Sequence, residues 1–352
     1  MRVQLRPLGE QTLVITGASA GIGRAAARLA GEAGARVVLA ARNREALESA
    51  AHAVERAGGR AVAVVCDVAL EADVARLARE AERAFGGVDT WVNNAGTALY
   101  GTLEEVPVAD LRRLMDVNFW GTVYGSRLAL PLLEARARRT GGAALVNVGS
   151  VLAERATPLM GMYCATKHAM KAFTDALRME LLHRGAPVSV SLVKPATIDT
   201  PIYDTSRNYM ARRQRPIPPV YAPEVAARAI LGCAERPTRE VTAGGVGLAL
   251  GAADALAPGL TDAAMAATLF TLQQRDEAPA RAAGNLDEAL DDGAERGAYD
   301  GPVLEHSAYT AAASRLGGVG FGVMLAAALG AVALTATALG RGERGRDAER
   351  AA

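Results

Sequence analysis

The sequence predicts an α/β fold, a doubly wound sheet of seven parallel strands in the Rossmann manner with helices on both faces. Three observations carry this expectation. Short β-branched runs alternate with longer amphipathic stretches over the first 240 residues. A glycine-rich turn, Thr16-Gly17-Ala18-Ser19-Ala20-Gly21-Ile22-Gly23, separates the first run from the first amphipathic stretch. A last apolar run near Glu240–Thr242 completes seven strands joined by crossover helices.

Thr12–Thr16 reads as the first strand, and its helix begins near Gly21. Arg36–Ala40 is the second strand, followed by a helix over Arg44–Ala57. Ala61–Cys66 is the third, with a charged helical stretch over Ala69–Phe85, and Val88–Val92 is the fourth. Long helical patterns over Val108–Arg138 precede a strand at Ala144–Val148. A helix at Gly161–His183, a strand at Val188–Val193 and a helix at Pro223–Glu235 lead to the last strand. Residues 1–245 thus read as one Rossmann-type domain.

The chain has 352 residues, with Lys+Arg 39 against Asp+Glu 38. That balance, without a basic cluster interleaved with aromatics, does not suggest nucleic acid as a partner. Cys66, Cys164 and Cys233 lie far apart and outside any Cys-x-x-Cys, so they fit a reducing compartment and give no metal site. Cys164 reads as a small core residue. No secretory signal is read at the N-terminus.

The glycine turn has the chemistry of a phosphate cradle. Gly17 permits the tight turn, Gly21 lets the backbone approach a pyrophosphate, and Gly23 lets helix and strand pack closely. Further on, Tyr163 and Lys167 stand four apart on a predicted helix, side by side on one face. Tyrosine titrates near 10, so acid–base work near neutrality requires a drop of about 3 units, roughly 4 kcal/mol. A neighbouring cation shifts it in that direction. Ser150, thirteen residues upstream, could hold a reacting oxygen beside the phenol.

Thr16-Gly17-x-x-x-Gly21-x-Gly23, Asn93-Asn94-Ala95-Gly96, Asn118, Ser150 and Tyr163-x-x-x-Lys167 occur in order, each on its matching element. In this the chain resembles the short-chain dehydrogenase/reductase family over roughly residues 8–245. The resemblance implies hydride transfer between a nicotinamide cofactor and a carbonyl or alcohol carbon. Tyr163 would be the general acid/base, Lys167 would lower its pKa and bond the nicotinamide ribose, and Ser150 would hold the reacting oxygen. Asn118 would hold a water behind Lys167. Gly17, Ser19, Gly21, Ile22, Gly23, Asp67, Val68 and Asn94 would contact the cofactor, with Asp67 and Val68 at the adenine. Asn93 and Asn94 would brace the sheet and the cofactor wall.

At the end of the second strand, Ala40-Ala41-Arg42-Asn43 offers no carboxylate for the ribose hydroxyls, and Arg42 suits a 2′-phosphate. NADP(H) is therefore expected over NAD(H), with Arg24 a second basic candidate. After the sixth strand, Lys194-Pro195-Ala196 carries alanine where the family has glycine, so the local loop is expected to differ. Ile198 and Thr200 still match positions at the nicotinamide carboxamide. Leu152, Met160 and Tyr203 are candidates for an apolar substrate pocket.

Residues 246–275 read as an apolar helical extension. Asp276 to Asp300 carries eight acids against two arginines, and 276–315 reads as a flexible acidic linker. Residues 316–340 carry no charge between Arg315 and Arg341, enough at 1.5 Å per residue to cross about 30 Å of hydrocarbon. A transmembrane helix is predicted there, with Gly318 and Gly322 as a helix-contact pair and 341–352 as a charged tail. The expectation is a membrane-attached enzyme with its catalytic domain in the cytoplasm, a small apolar carbonyl or alcohol as substrate, and a homo-oligomeric state. The alternatives are a catalytically silent NADP(H)-binding sensor or scaffold at a membrane, and a membrane-organising protein that acts through its tail.

Overall fold

The structure, a computed structural model, describes residues 3–245, 256–279, 283–290 and 293–314. Its centre is a seven-stranded sheet built from β1 (Thr12–Thr16), β2 (Arg36–Ala41), β3 (Arg60–Val65), β4 (Thr90–Asn93), β6 (Ala143–Val148), β7 (Val188–Pro195) and β10 (Glu240–Ala243). The order across the sheet is β10-β7-β6-β4-β1-β2-β3, and every pairing is parallel. In β1 both parities are buried, from Leu13 through Val14 to Ile15, because helices cover both faces.

One face is covered by α1 (Gly21–Glu32), α2 (Arg44–Arg56) and α8 (Pro223–Glu235). α1 presents Ala25, Ala26, Ala27 and Ala30 to the sheet, small enough for the helix to lie close. A Cβ on Gly31 would come within 2.7 Å of the Val54 carbonyl, so α1 and α2 touch backbone to backbone there. The Asn43 side chain caps α2, accepting from the Ala46 amide at 2.9 Å. The other face carries α3 (Glu71–Phe85), α5 (Gly121–Thr140) and α6 (Gly161–His183) around the fully buried Trp91.

The long helical pattern after β4 is two helices. α4 (Val108–Met115) and α5 are joined by one π-helical turn, Asp116–Trp120. The other expected strands and helices of the sheet domain lie where the periodicity put them, with ends shifted by a residue or two.

Short strands decorate the mouth of the sheet: β5 (Leu99–Tyr100) pairs with β8 (Arg207–Asn208), and β9 (Val220–Tyr221) with β11 (Val303–Leu304). A short α7 (Ile202–Thr205) follows the β7 loop, and α9 (Pro258–Leu272) lies within the stretch read as an apolar extension.

Two expectations for the C-terminal third need correction. The membrane-spanning element expected as part of the fold class finds no support: among the described residues no helix is long and apolar enough to cross a membrane. The predicted span 316–340 lies outside the described residues, so the membrane-attached localisation has no structural support and is withdrawn. The acidic stretch, expected as a flexible linker, is packed against the domain in its described parts. Leu286 is fully buried, β11 extends β9, and Gly21 N donates to the Ala294 carbonyl at 2.8 Å. Local composition hid this because the counter-charges come from elsewhere in the chain. Asp287 pairs with Arg207, Glu295 with Arg28, Asp300 with Arg275, Glu277 with Arg213 and Asp276 with Arg212.

Candidate active site

The site forms where β1, β4, β6 and β7 end and their loops diverge, the crevice that parallel sheets leave at a change in strand order. The glycine turn leaves β1 with Gly17 at φ 66° and Gly21 at φ 53°, conformations that favour glycine. Space is as demanding as torsion. A Cβ on Gly23 would lie 2.2 Å from the Gly17 carbonyl oxygen, and one on Gly17 would lie 2.7 Å from Ala95 Cα. The turn is therefore pressed between α1 and the end of β4. Asn94 Nδ2 locks it by donating to the Thr16 carbonyl at 2.8 Å and the Gly17 carbonyl at 3.2 Å. Asn93 points the other way, accepting from Trp91 Nε1 at 2.8 Å and donating to Asn147 at 2.9 Å. One asparagine braces the cradle and the next braces the sheet.

The π-helical turn makes sense here. π turns insert one residue into a helix and often re-aim side chains at functional sites. Asn118 sits in this turn with no solvent exposure. Its Oδ1 accepts from Thr97 N at 2.9 Å, and its Nδ2 donates to the Thr97 carbonyl at 2.9 Å and to Thr166 Oγ1 at 3.1 Å. Thr166 belongs to α6, so Asn118 ties the β4 loop to the helix that carries Tyr163 and Lys167. Gly96 lies between Asn118 and Lys167: a Cβ there would stand 3.3 Å from Asn118 Oδ1 and 3.7 Å from Lys167 Nζ.

Lys167 is buried and donates to the Val148 carbonyl at the end of β6 at 3.0 Å. Its Nζ lies 5.5 Å from the centre of the Tyr163 ring. Burial pulls the Lys167 pKa down to about 8. Tyr163 moves opposite to the sequence expectation. Burial pushes its pKa up to about 12, and the hydrogen bond to Ser150 opposes that only in part. The expected drop assumed a fully charged neighbour in contact with the phenol. The structure instead gives a desolvated ammonium facing the ring, and desolvation of the phenolate outweighs the Ser150 bond. Ser150 Oγ also accepts from Leu152 N at 3.1 Å, which fixes the hydroxyl at the start of a short 3-10 turn.

Two adjoining cavities meet at these residues. A polar cleft of about 220 Å³ runs past Gly17, Ser19, Gly21, Ile22, Arg42, Asp67, Val68 and Asn94. An apolar cavity of about 380 Å³ opens onto Ser150, Tyr163 and Lys167. Ile22, Asn94, Gly96, Thr200 and Ile202 belong to both, so the two are continuous. Ile198 lines the apolar side. Of the expected site residues, Gly23, Arg24, Asn93 and Asn118 line neither cavity; the others line one or the other. Gly23 is pressed against the Gly17 carbonyl, and Asn118 is bonded to Thr97 and Thr166.

Local details differ from the sequence expectation. Asp67 lies on the cleft with its carboxylate already bound, by Arg113 at 2.7 Å and by Ala69 N at 3.0 Å. Arg24 does not reach the cleft as a free cation; it donates to the Ser19 and Ala46 carbonyls and to Ser49. Ala196 takes its place by donating its backbone N–H to the Ala243 carbonyl at 2.8 Å, continuing the β7–β10 pairing. The tight approach falls instead on Gly244, at φ 101°, whose Cβ would lie 2.9 Å from the Ala196 methyl.

Leu152, Met160 and Tyr203 line the apolar cavity as expected. Sequence reasoning missed Tyr100, Ile217, Met265, Leu269 and Gln273, which also line it. Met265 and Leu269 sit four apart on α9, the spacing of one helix face, which was the available signal. The three cysteines are buried thiols, and Cys164 packs beside Tyr163.

Comparison with known proteins agrees with this geometry. Residues 11–210 match the family model described as short chain dehydrogenase. An uncharacterized oxidoreductase, YxnA, of Bacillus subtilis (strain 168) is 39% identical over 319 residues, 89% of this chain and 88% of that protein. A short chain dehydrogenase/reductase from Burkholderia phymatum, solved in complex with NAD, superposes with a TM-score of 0.65 at 27% identity, covering 73% of this chain and 96% of that one. An alcohol dehydrogenase from the archaeon Thermococcus sibiricus, solved with 5-hydroxy-NADP, gives 0.57 at 26% identity, covering 66% and 95%. The chain belongs to the short-chain dehydrogenase/reductase family and is an oxidoreductase that works with a nicotinamide cofactor on CH–OH or C=O groups.

Proposed function

We propose that the chain interconverts a carbonyl and an alcohol on an apolar substrate, with NADP(H) favoured as cofactor. The observation that carries this is the junction of the two cavities. Tyr163 and Ser150 stand where the apolar cavity meets the polar cleft, with Lys167 behind the phenol. The residues present fit a nicotinamide dinucleotide. The cradle at Gly17 and Gly23 has no room for a side chain. Gly21 and Ile22 at the start of α1 line the cleft, the Gly21 amide donating to the Ala294 carbonyl and the helix N-terminus favouring an anion. Such a cofactor supplies or takes the hydride at the substrate carbon.

The protein then has to orient the substrate and move one proton. Ser150 holds the substrate oxygen, and the Tyr163 hydroxyl, hydrogen-bonded to Ser150, transfers the proton to or from it. Lys167 holds its proton below about pH 8, and its charge favours the phenolate. Asn118 ties the β4 loop to α6, the helix that carries Tyr163 and Lys167, and so holds the proton-transfer groups in line. The largely apolar walls exclude competing water and bind the body of the substrate. Arg42 and the lack of a carboxylate at the end of β2 support NADP(H).

Oxidation of NADPH and NADH in the presence of aldehydes and ketones of increasing apolar bulk tests this function. Turnover with at least one bulky apolar carbonyl is expected. Tight dinucleotide binding with no turnover across the whole series would contradict an enzymatic role.

A further inference from the structure

Residues 283–290, beyond the family-matched region, lie along the outer end of the polar cleft, which Asn285, Ala289 and Leu290 help to line. This stretch, the strap, is firmly built in. Leu286 is fully buried among Leu99, Val106 and Leu114. Asn285 N donates to the Thr205 carbonyl at 2.7 Å, its Nδ2 reaches Thr205 Oγ1 at 3.3 Å, and its Oδ1 accepts from Thr97 Oγ1. The Asp287 carboxylate pairs with Arg207 at 2.8 Å.

The strap meets Arg42 with four backbone carbonyls. Nη1 donates to Leu286 O at 3.3 Å and Asp287 O at 2.9 Å, while Nη2 donates to Asn285 O and to Glu288 O at 3.4 Å. A guanidinium binds phosphate through paired N–H groups, and both of its Nη groups are engaged here. The two ribose substituents meet this arrangement differently. A 2′-hydroxyl can donate to a carbonyl oxygen. A 2′-phosphate dianion only accepts, and would face carbonyl dipoles and the Asp287 carboxylate.

We propose that residues 285–288 select between the two dinucleotides: in place, their carbonyl oxygens hold Arg42 and suit a 2′-hydroxyl, whereas a 2′-phosphate must displace them to reach the same guanidinium. This rests on the proposed placement of the adenosine ribose at Arg42. NADP(H) binding is then coupled to release of the strap, and NAD(H) binding is not.

The test uses the full chain with NADPH and NADH as probes. Amide hydrogen exchange is followed over 283–290, and dissociation constants are measured by cofactor fluorescence. NADPH is expected to speed exchange at 285–288, and NADH to leave it unchanged. Leu286→Asp, which removes the buried anchor, is expected to tighten NADPH binding relative to NADH by roughly tenfold. Unchanged exchange with NADPH bound, or an unchanged NADPH-to-NADH ratio in a folded Leu286→Asp protein, overturns the strap's role. If that variant does not fold, exchange on the unaltered chain decides. Arg42→Ala separates the two levels. Selective loss of NADPH affinity keeps the ribose placement even where the strap proposal fails, whereas unchanged affinity for both cofactors removes the placement and the strap proposal together.

Discussion

The ammonium of Lys167 lies 5.5 Å from the centre of the Tyr163 ring and donates to the Val148 carbonyl at 3.0 Å, so it approaches the phenol from the end of β6 and not from solvent. A buried cation is costly, and one held beside a phenol is a placement that stability alone does not favour.

Lys167 should therefore weaken the fold that holds it. Its folded pKa, about 8, is below its ordinary 10.5. Between those values the unfolded chain binds a proton that the folded chain lacks, so stability rises with pH across that window and the full penalty applies below it. The shift corresponds to about 3 kcal/mol, offset by about 1 kcal/mol if the Val148 carbonyl loses its donor. Lys167→Met is expected to gain about 2 kcal/mol at pH 7 in urea unfolding, with the gain fading as pH rises toward 10.5.

Asn118 should matter in the opposite sense. Asn118→Ala strands the buried amide and carbonyl of Thr97, at a cost of about 2–3 kcal/mol. It also frees the loop from α6, and a fall in kcat of roughly 10- to 100-fold is expected because the proton path loses its alignment. Denaturant titration and steady-state kinetics on the same preparation would show both effects.

The α9 face should set substrate size. Leu269→Trp fills part of the 380 Å³ cavity next to Met265. KM for bulky apolar ketones is expected to rise about tenfold, with small aldehydes little changed. A uniform change across the series would remove α9 from substrate recognition.

Much of this site was legible because its parts are local in sequence. The glycine turn, Tyr163 and Lys167, and Ser150 after a strand each depend on spacing along one element, and sheet order follows from alternation. What was not legible came from distance. The π turn at Asn118 leaves the helical pattern on either side intact. The sign of the Tyr163 shift depends on burial, which no spacing encodes. Acids at 276–300 looked unpaired because Arg28, Arg207, Arg213 and Arg275, which bind four of them, lie outside the window or at its edge. The engagement of Arg42 by the strap joins residues more than 240 apart.

The most direct measurement is the turnover of Tyr163→Phe, with cofactor affinity followed in parallel. The substitution removes one hydroxyl and keeps the packed ring. NADPH or NADH binding is expected to persist while kcat falls by at least roughly 100-fold with every carbonyl that the unaltered protein reduces. Full turnover by Tyr163→Phe would contradict proton transfer by Tyr163.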